Sequence, residues 1–335
     1  MVRMQPRARH PRRLRRRLAL AKVHIVLLLF AGVALVATGC GGDHAKPAPP
    51  VVPSDRTVKA NMVEALARPP QVIIFGGSRA LRFEPSYIEK KTGLTGFNAA
   101  FSNGRAEDAW AWTNYLHQQF PHTRLRFFWP LQVEAFREQG LAFGLIQDKR
   151  FSRYFPADLL AEQSRRLPQN ASQMPDNHDL ATDTYGPDGA LLHNRYDIRL
   201  EKGGKLSTAL DWSIRTMAER YAKFPVIVDP RARTYFEKTL GLMNKLGATP
   251  VLVLMPIQPR VLRAIEPLGW SKRHRVVVAY LRSLQKRYRF VFFDFSDLRS
   301  VGGDPKQYYD GVHLWVRNTR KVIDAVLKRD PHAFD

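Results

Sequence analysis

The chain has 335 residues, 44% hydrophobic and 25% charged, a composition that builds a sizeable core and excludes a wholly disordered or fibrous protein. Its 53 Lys and Arg outnumber 30 Asp and Glu, giving a net charge of +23 that favours anionic surfaces such as phospholipid head groups or phosphate-rich polymers. Nucleic acid is not the expected partner: no aromatic–basic RNA motif, zinc-finger spacing or helix-turn-helix signature is present.

Charge is concentrated at the start. Residues 1–22 hold nine Arg and Lys and no acid, and residues 23–40 hold no charge at all. A basic segment, an apolar stretch from 23 to 36 and then small residues is the layout of a signal peptide, predicted over 1–40. The apolar stretch is shorter than the roughly 20 residues needed to span a bilayer. The sequence Ala37-Thr38-Gly39-Cys40-Gly41 resembles a bacterial lipobox, which implies that Cys40 is diacylated and becomes the mature N-terminus. Cys40 is the only cysteine, so no intramolecular disulfide is possible and lipidation gives that thiol a purpose. The expected product is exported and anchored to the outer face of a membrane, in the periplasm or cell envelope. Residues 41–60 read as a Pro-rich tether and 61–335 as the folded domain.

The folded part alternates strands and helices. Residues 71–75 (QVIIF) form an apolar, β-branched run that ends at Gly76-Gly77 and predicts a buried strand and a tight turn. A second strand is expected over 95–99 and a helix over 105–119, whose Trp110, Trp112 and Tyr115 read as core residues by their spacing, with stacking on sugar rings as the alternative. A third strand is expected over 125–133, broken or ended near Pro130. Residues 134–230 break the alternation and are expected as an insertion over one edge of the sheet, with a turn at Gly186-Pro187-Asp188-Gly189. Strands are then expected over 249–255 and 290–295, with helices over 234–246, 272–287 and 317–328. Near-continuous apolar strands between helices indicate an α/β fold. The expected architecture is three-layer α/β/α, with a doubly wound, mostly parallel five-stranded sheet.

Two segments carry the chemistry. Phe75-Gly76-Gly77-Ser78-Arg79 places a serine on a sharp turn at the carboxyl end of a strand, where ligands bind in such sheets. The glycines permit close approach of a carbonyl and leave amides for an anion. Near the C-terminus, Asp310-Gly311-Val312-His313 puts a carboxylate and an imidazole within reach of one nucleophile. Read singly, the first segment also suits a plain turn and the second a capping or metal-ligand pair. Arg79 suits either a buttress for the turn or a ligand for a substrate carboxylate or phosphate. His274 has no partner at metal spacing and reads as a surface residue.

Together the two segments resemble the SGNH/GDSL hydrolase superfamily over about residues 71–327. That resemblance implies a flavodoxin-like sheet, a catalytic Ser78, Asp310 and His313, and no cofactor or metal. The family's second block corresponds to the stretch from Asn98 to Gly104, where Asn103 or Gly104 takes the place of the glycine that helps bind the oxyanion. Gly77 belongs to the same anion site. Its third block, normally bearing an Asn, here reads Trp129-Pro130-Leu131-Gln132, so Gln132 is the candidate carboxamide donor. This departure is similar to that of extracytoplasmic acyltransferase-like members that O-acetylate exopolysaccharides or help D-alanylate teichoic acids. The implied activity is an esterase or O-acyltransferase on an acylated saccharide or other ester, working beside a multi-span membrane acyltransferase. The alternative is a non-catalytic envelope binding or assembly factor with the same fold.

Overall fold

The computed structural model describes residues 54–137, 140–166, 182–223 and 228–335. The signal segment, Cys40 and most of the Pro-rich stretch lie outside the described residues. The first element is helix α1 (Asp55–Glu64), capped by the Ser54 hydroxyl, which accepts from the Thr57 amide. Folded structure therefore begins before residue 61, the boundary read from sequence. The helix reads as tether because its inner face is charged: Asp55, Arg56 and Lys59 are all buried.

The central sheet contains β1 (Val72–Ile74), β2 (Gly96–Asn98), β3 (Arg126–Leu131), β6 (Val251–Leu254) and β7 (Val291–Asp294) in the order β2-β1-β3-β6-β7. Every pairing is parallel. The intervening pair β4 (Thr184–Tyr185) and β5 (Leu191–His193) forms a separate antiparallel hairpin. Parallel neighbours need crossovers, and helices supply them: α2 (Pro85–Thr92), α3 (Ala106–Gln119), α9 (Pro230–Lys245) and α11 (Ser271–Leu284), while α12 (Val316–Arg329) follows the last strand.

Side chains alternate across the sheet. Ile73, Phe97, Phe127 and Leu252 share one cluster with Trp112 of α3, Phe236 of α9 and Leu281 of α11. Val72, Ile74, Phe128 and Val251 share the other with Ile88 of α2 and Ile323 of α12. Both faces of the sheet are thus covered, which is why these strands read as unbroken apolar runs. Trp112 and Tyr115 are fully buried and pack around Phe151, as core residues.

Strand β3 continues through Pro130, which pairs with Val253, rather than ending there. Phe128 accepts from the Phe75 amide, so residues 126, 128 and 130 turn their peptide groups toward β1. At Pro130 the β1 chain has already turned away at Gly76, so the missing N–H breaks no ladder bond.

The insertion holds α4 (Phe143–Gln147), α5 (Lys149–Ser152), α6 (Ala157–Arg165), the β4–β5 hairpin, α7 (Arg195–Glu201) and α8 (Leu206–Lys223). It is not confined to one edge. The hairpin turn reaches the β2 edge, where Asp188 accepts from the Asn98 amide, with Gly189 at φ 77°. Helix α8 instead packs on α10 (Pro259–Ile265), which follows β6. The insertion spans both ends because its hairpin and its long helix each bury an apolar side, Leu191 on one and Leu210 and Met217 on the other.

Buried charge ties α1 to this frame. Arg56 is fully buried and makes a two-pronged ion pair with Asp108 of α3, at 2.7 and 3.0 Å. Removing one partner of such a pair costs several kcal/mol. Asp108→Ala should therefore lower the unfolding free energy by about 3 kcal/mol, measured as a drop in the urea midpoint at unchanged slope.

Candidate active site

Strand β1 delivers Ser78 to the carboxyl edge of the sheet. Gly76 stands at φ 133°, and a Cβ there would lie 2.7 Å from both the Pro130 carbonyl oxygen and Ala80 Cβ. Only glycine turns the chain at this point. Ser78 then opens a short 3-10 turn, Ser78–Ala80, closed by the Ala80 amide donating to the Gly77 carbonyl at 2.8 Å.

The acid and base come from the loop before α12. Asp310 is 1% exposed. Its Oδ1 accepts from the amides of Val312 and His313 at 2.8 and 2.9 Å, which folds the loop back on itself. Its Oδ2 lies 2.8 Å from His313 Nδ1. A carboxylate only accepts, so Nδ1 carries the proton and Nε2 is free to accept. His313 Nε2 lies 2.8 Å from Ser78 Oγ. Burial alone would push the Asp310 carboxyl up, but the facing His313 ring and the two amides hold it below the ordinary carboxylate value. Asp310 is thus ionised and oriented at neutral pH.

The imidazole is clamped from behind. Tyr309 stacks on His313 with centroids 5.1 Å apart and planes 3° apart. Arg82 covers the far side of this block, over Tyr309 and Trp315. Arg199 of α7 donates to the Tyr309 carbonyl at 2.9 Å. Ser213 of α8 accepts from the Gly311 amide at 3.0 Å, and a Cβ on Gly311 would meet Ser213 Cβ at 2.6 Å. None of these supports carries a local sequence signal except Tyr309, which directly precedes Asp310.

Ser78 and His313 open into a cavity of about 390 Å³. Its wall includes Asn103, Arg195, Tyr196, Trp212 and Arg220. Asn103 is the one non-glycine residue among those described with positive φ, at 54°. Asparagine tolerates this conformation better than most residues. It therefore fills the glycine-like position and faces the cavity. Gly104 does not serve as the amide donor, because its N–H is used by the Phe101 carbonyl at 3.0 Å. Its role is close approach: a Cβ would lie 2.2 Å from the Gly76 carbonyl oxygen.

Gln132 lines a smaller crevice behind the serine turn, with Gly76, Gly77 and Gly104. Its Nε2 would sit 3.2 Å from a Cβ on Gly77. Arg79 is buried and pairs with Glu134 at 3.2 Å, whose other oxygen accepts from the Tyr221 hydroxyl. Burial opposes the Glu134 charge, yet Arg79 and Tyr221 hold its pKa below the ordinary value. Arg79 is thereby held by Glu134 beside the turn, as the buttress reading expects. His274, read from sequence as a surface residue, pairs with Asp294 at 2.8 Å and stacks on Trp270.

A scan against protein-family models finds no match, and a search of curated proteins finds no relative.

Proposed function

We propose that the protein is an extracytoplasmic, membrane-anchored serine esterase or O-acyltransferase of SGNH type, acting on acyl groups of cell-envelope or exported saccharides. The observation that carries this reading is the relay of two 2.8 Å contacts from Ser78 Oγ through His313 to Asp310. Strand order supports the finer fold assignment: renumbered within the sheet it is 2-1-3-4-5, the doubly wound, flavodoxin-like order, with the site at the carboxyl ends.

In this mechanism Ser78 Oγ bonds to the acyl carbon while His313 Nε2 takes its proton, and Asp310 stabilises the imidazolium. The carbonyl oxygen becomes the oxyanion. Its donors are the Ser78 amide, which as the first of a helical turn has no partner within it, and Asn103. The imidazolium returns the proton to the leaving alcohol as the ester C–O bond breaks. Water or a sugar hydroxyl then attacks the acyl-enzyme with His313 as base. Trp212, 47% exposed on the cavity wall, offers a ring face for a sugar. Lipidation of Cys40 and cooperation with a multi-span acyltransferase complete the reading.

The test is covalent labelling of the full-length chain in detergent with a fluorophosphonate probe. The parent should label, and Ser78→Ala should not label at all. A folded parent that stays unlabelled would overturn catalysis in favour of the binding or assembly role, which the absent third-block Asn favours.

A further inference from the structure

The outer edge of the sheet beyond β2 is closed by side chains. Residues 99–101 follow on from β2, and the chain then turns at Ser102 and Asn103. The amides of Ala99 and Phe101 point inward, to the carbonyls of Ile74 and Gly76 at 2.8 and 3.1 Å. Residues 98, 100 and 102 point outward, as strand alternation requires. Helix α1 meets their carbonyls in turn. Lys59 Nζ donates to Asn98 at 3.0 Å and to Ala100 at 2.6 Å. Arg56 donates to Ser102 at 3.3 Å. The outward Ser102 amide donates to Asp55 Oδ2 at 2.7 Å. Both peptide groups of the residue before Asn103 are therefore held by α1.

We infer that Asp55, Arg56 and Lys59 are positioning residues: they stand in for a missing edge strand and set where Asn103 meets the Ser78 oxyanion. The assignment of an oxyanion rests on the function proposed above; the clamp itself does not. An apolar helix face could not close this edge, since three carbonyls and an amide need donors and an acceptor at fixed spacing.

Electrostatics fit the same role. Burial drives the Lys59 amine down to about 7, against Asp55, Asp183 and Asp188, which favour its charge, and with Arg56, which opposes it. The Tyr185 ring covers it at 4.8 Å. Because the unfolded lysine still binds its proton between about pH 7 and its ordinary value, fold stability gains as pH rises through that window.

The experiment uses the full-length chain in detergent and two readouts: the rate of fluorophosphonate labelling at Ser78, and amide hydrogen exchange of residues 98–105. Asp55→Ala should slow labelling at least tenfold and speed exchange of this segment, while Asp55→Asn, which keeps an acceptor oxygen, should recover most of both. Turnover of p-nitrophenyl acetate should lose kcat with KM unchanged. Lys59→Met keeps the bulk of the side chain without the charge, so it remains folded where Asp55→Ala fails to. It should slow labelling and abolish the gain in stability above pH 7. Folded variants that exchange like the parent overturn the inference. Altered exchange with an unlabelled parent supports the clamp and overturns the catalytic reading alone. Altered exchange with parent-like labelling overturns the positioning role.

Discussion

His313→Ala should lower esterase turnover and probe labelling about 10⁶-fold, close to the loss from Ser78→Ala. The reason is geometric. Ser78 Oγ has the His313 Nε2 base at 2.8 Å, and among the described residues His313 is its bridge to Asp310. The three groups act as a unit, so the double variant Ser78→Ala/His313→Ala should be no slower than either single one. Asp310→Asn should cost about 10⁴-fold, because an amide facing Nδ1 favours the wrong tautomer. Steady-state kinetics on an activated acetate ester reads all of these. Additive losses would show that the three residues do not share one reaction.

Gly104→Ala should damage both rate and stability. The added Cβ would lie 2.2 Å from the Gly76 carbonyl oxygen and 3.1 Å from Gly77 Cα, and both are backbone atoms that cannot swing aside. The loop bearing Asn103 must then lift from the serine turn. Displacement by about 1 Å costs of the order of 10² in rate, and overpacking costs about 1–3 kcal/mol. Gly241→Ala is the control. Its Cβ would meet only the Tyr288 ring at 3.5 Å within α9, and it should stabilise the helix by up to about 1 kcal/mol. Thermal melts and ester kinetics on the two variants separate a steric effect from a general cost of replacing glycine.

The parts legible in the sequence are those whose signal is local. Strands β1 and β6 are buried on both faces, so three or four consecutive apolar residues mark them. Ser78 announces itself through Gly76 and Gly77, and Asp310 and His313 through their spacing. Long-range partners are not legible in this way. Helix α1 reads as tether because its buried face is Asp55, Arg56 and Lys59, which balance against Asp108 and against the carbonyls of residues 98, 100 and 102 far along the chain. Pro130 suggested a strand end because only the departure of β1 at Gly76 makes its missing N–H harmless. Tyr196 and Trp212 reach the cavity from helices of the insertion that are placed by distant partners, α10 and the loop around Tyr309, so nothing near them in sequence marks their position.

Trp212 and Ser213 are adjacent residues of α8 with different tasks. Trp212 forms part of the cavity wall, and Ser213 grips the Gly311 amide of the loop that carries Asp310 and His313. Wall and acid–base pair are therefore one mechanical part. Reshaping this wall for a different ligand drags the general base with it, and the α7 wall is tied to the same loop, because the Tyr196 ring packs on Tyr309 and His313 and Arg199 holds the Tyr309 carbonyl. Divergence toward new ligands must therefore keep Ser213 on one helix and Arg199 on the other, and an engineer altering specificity would leave those two grips in place.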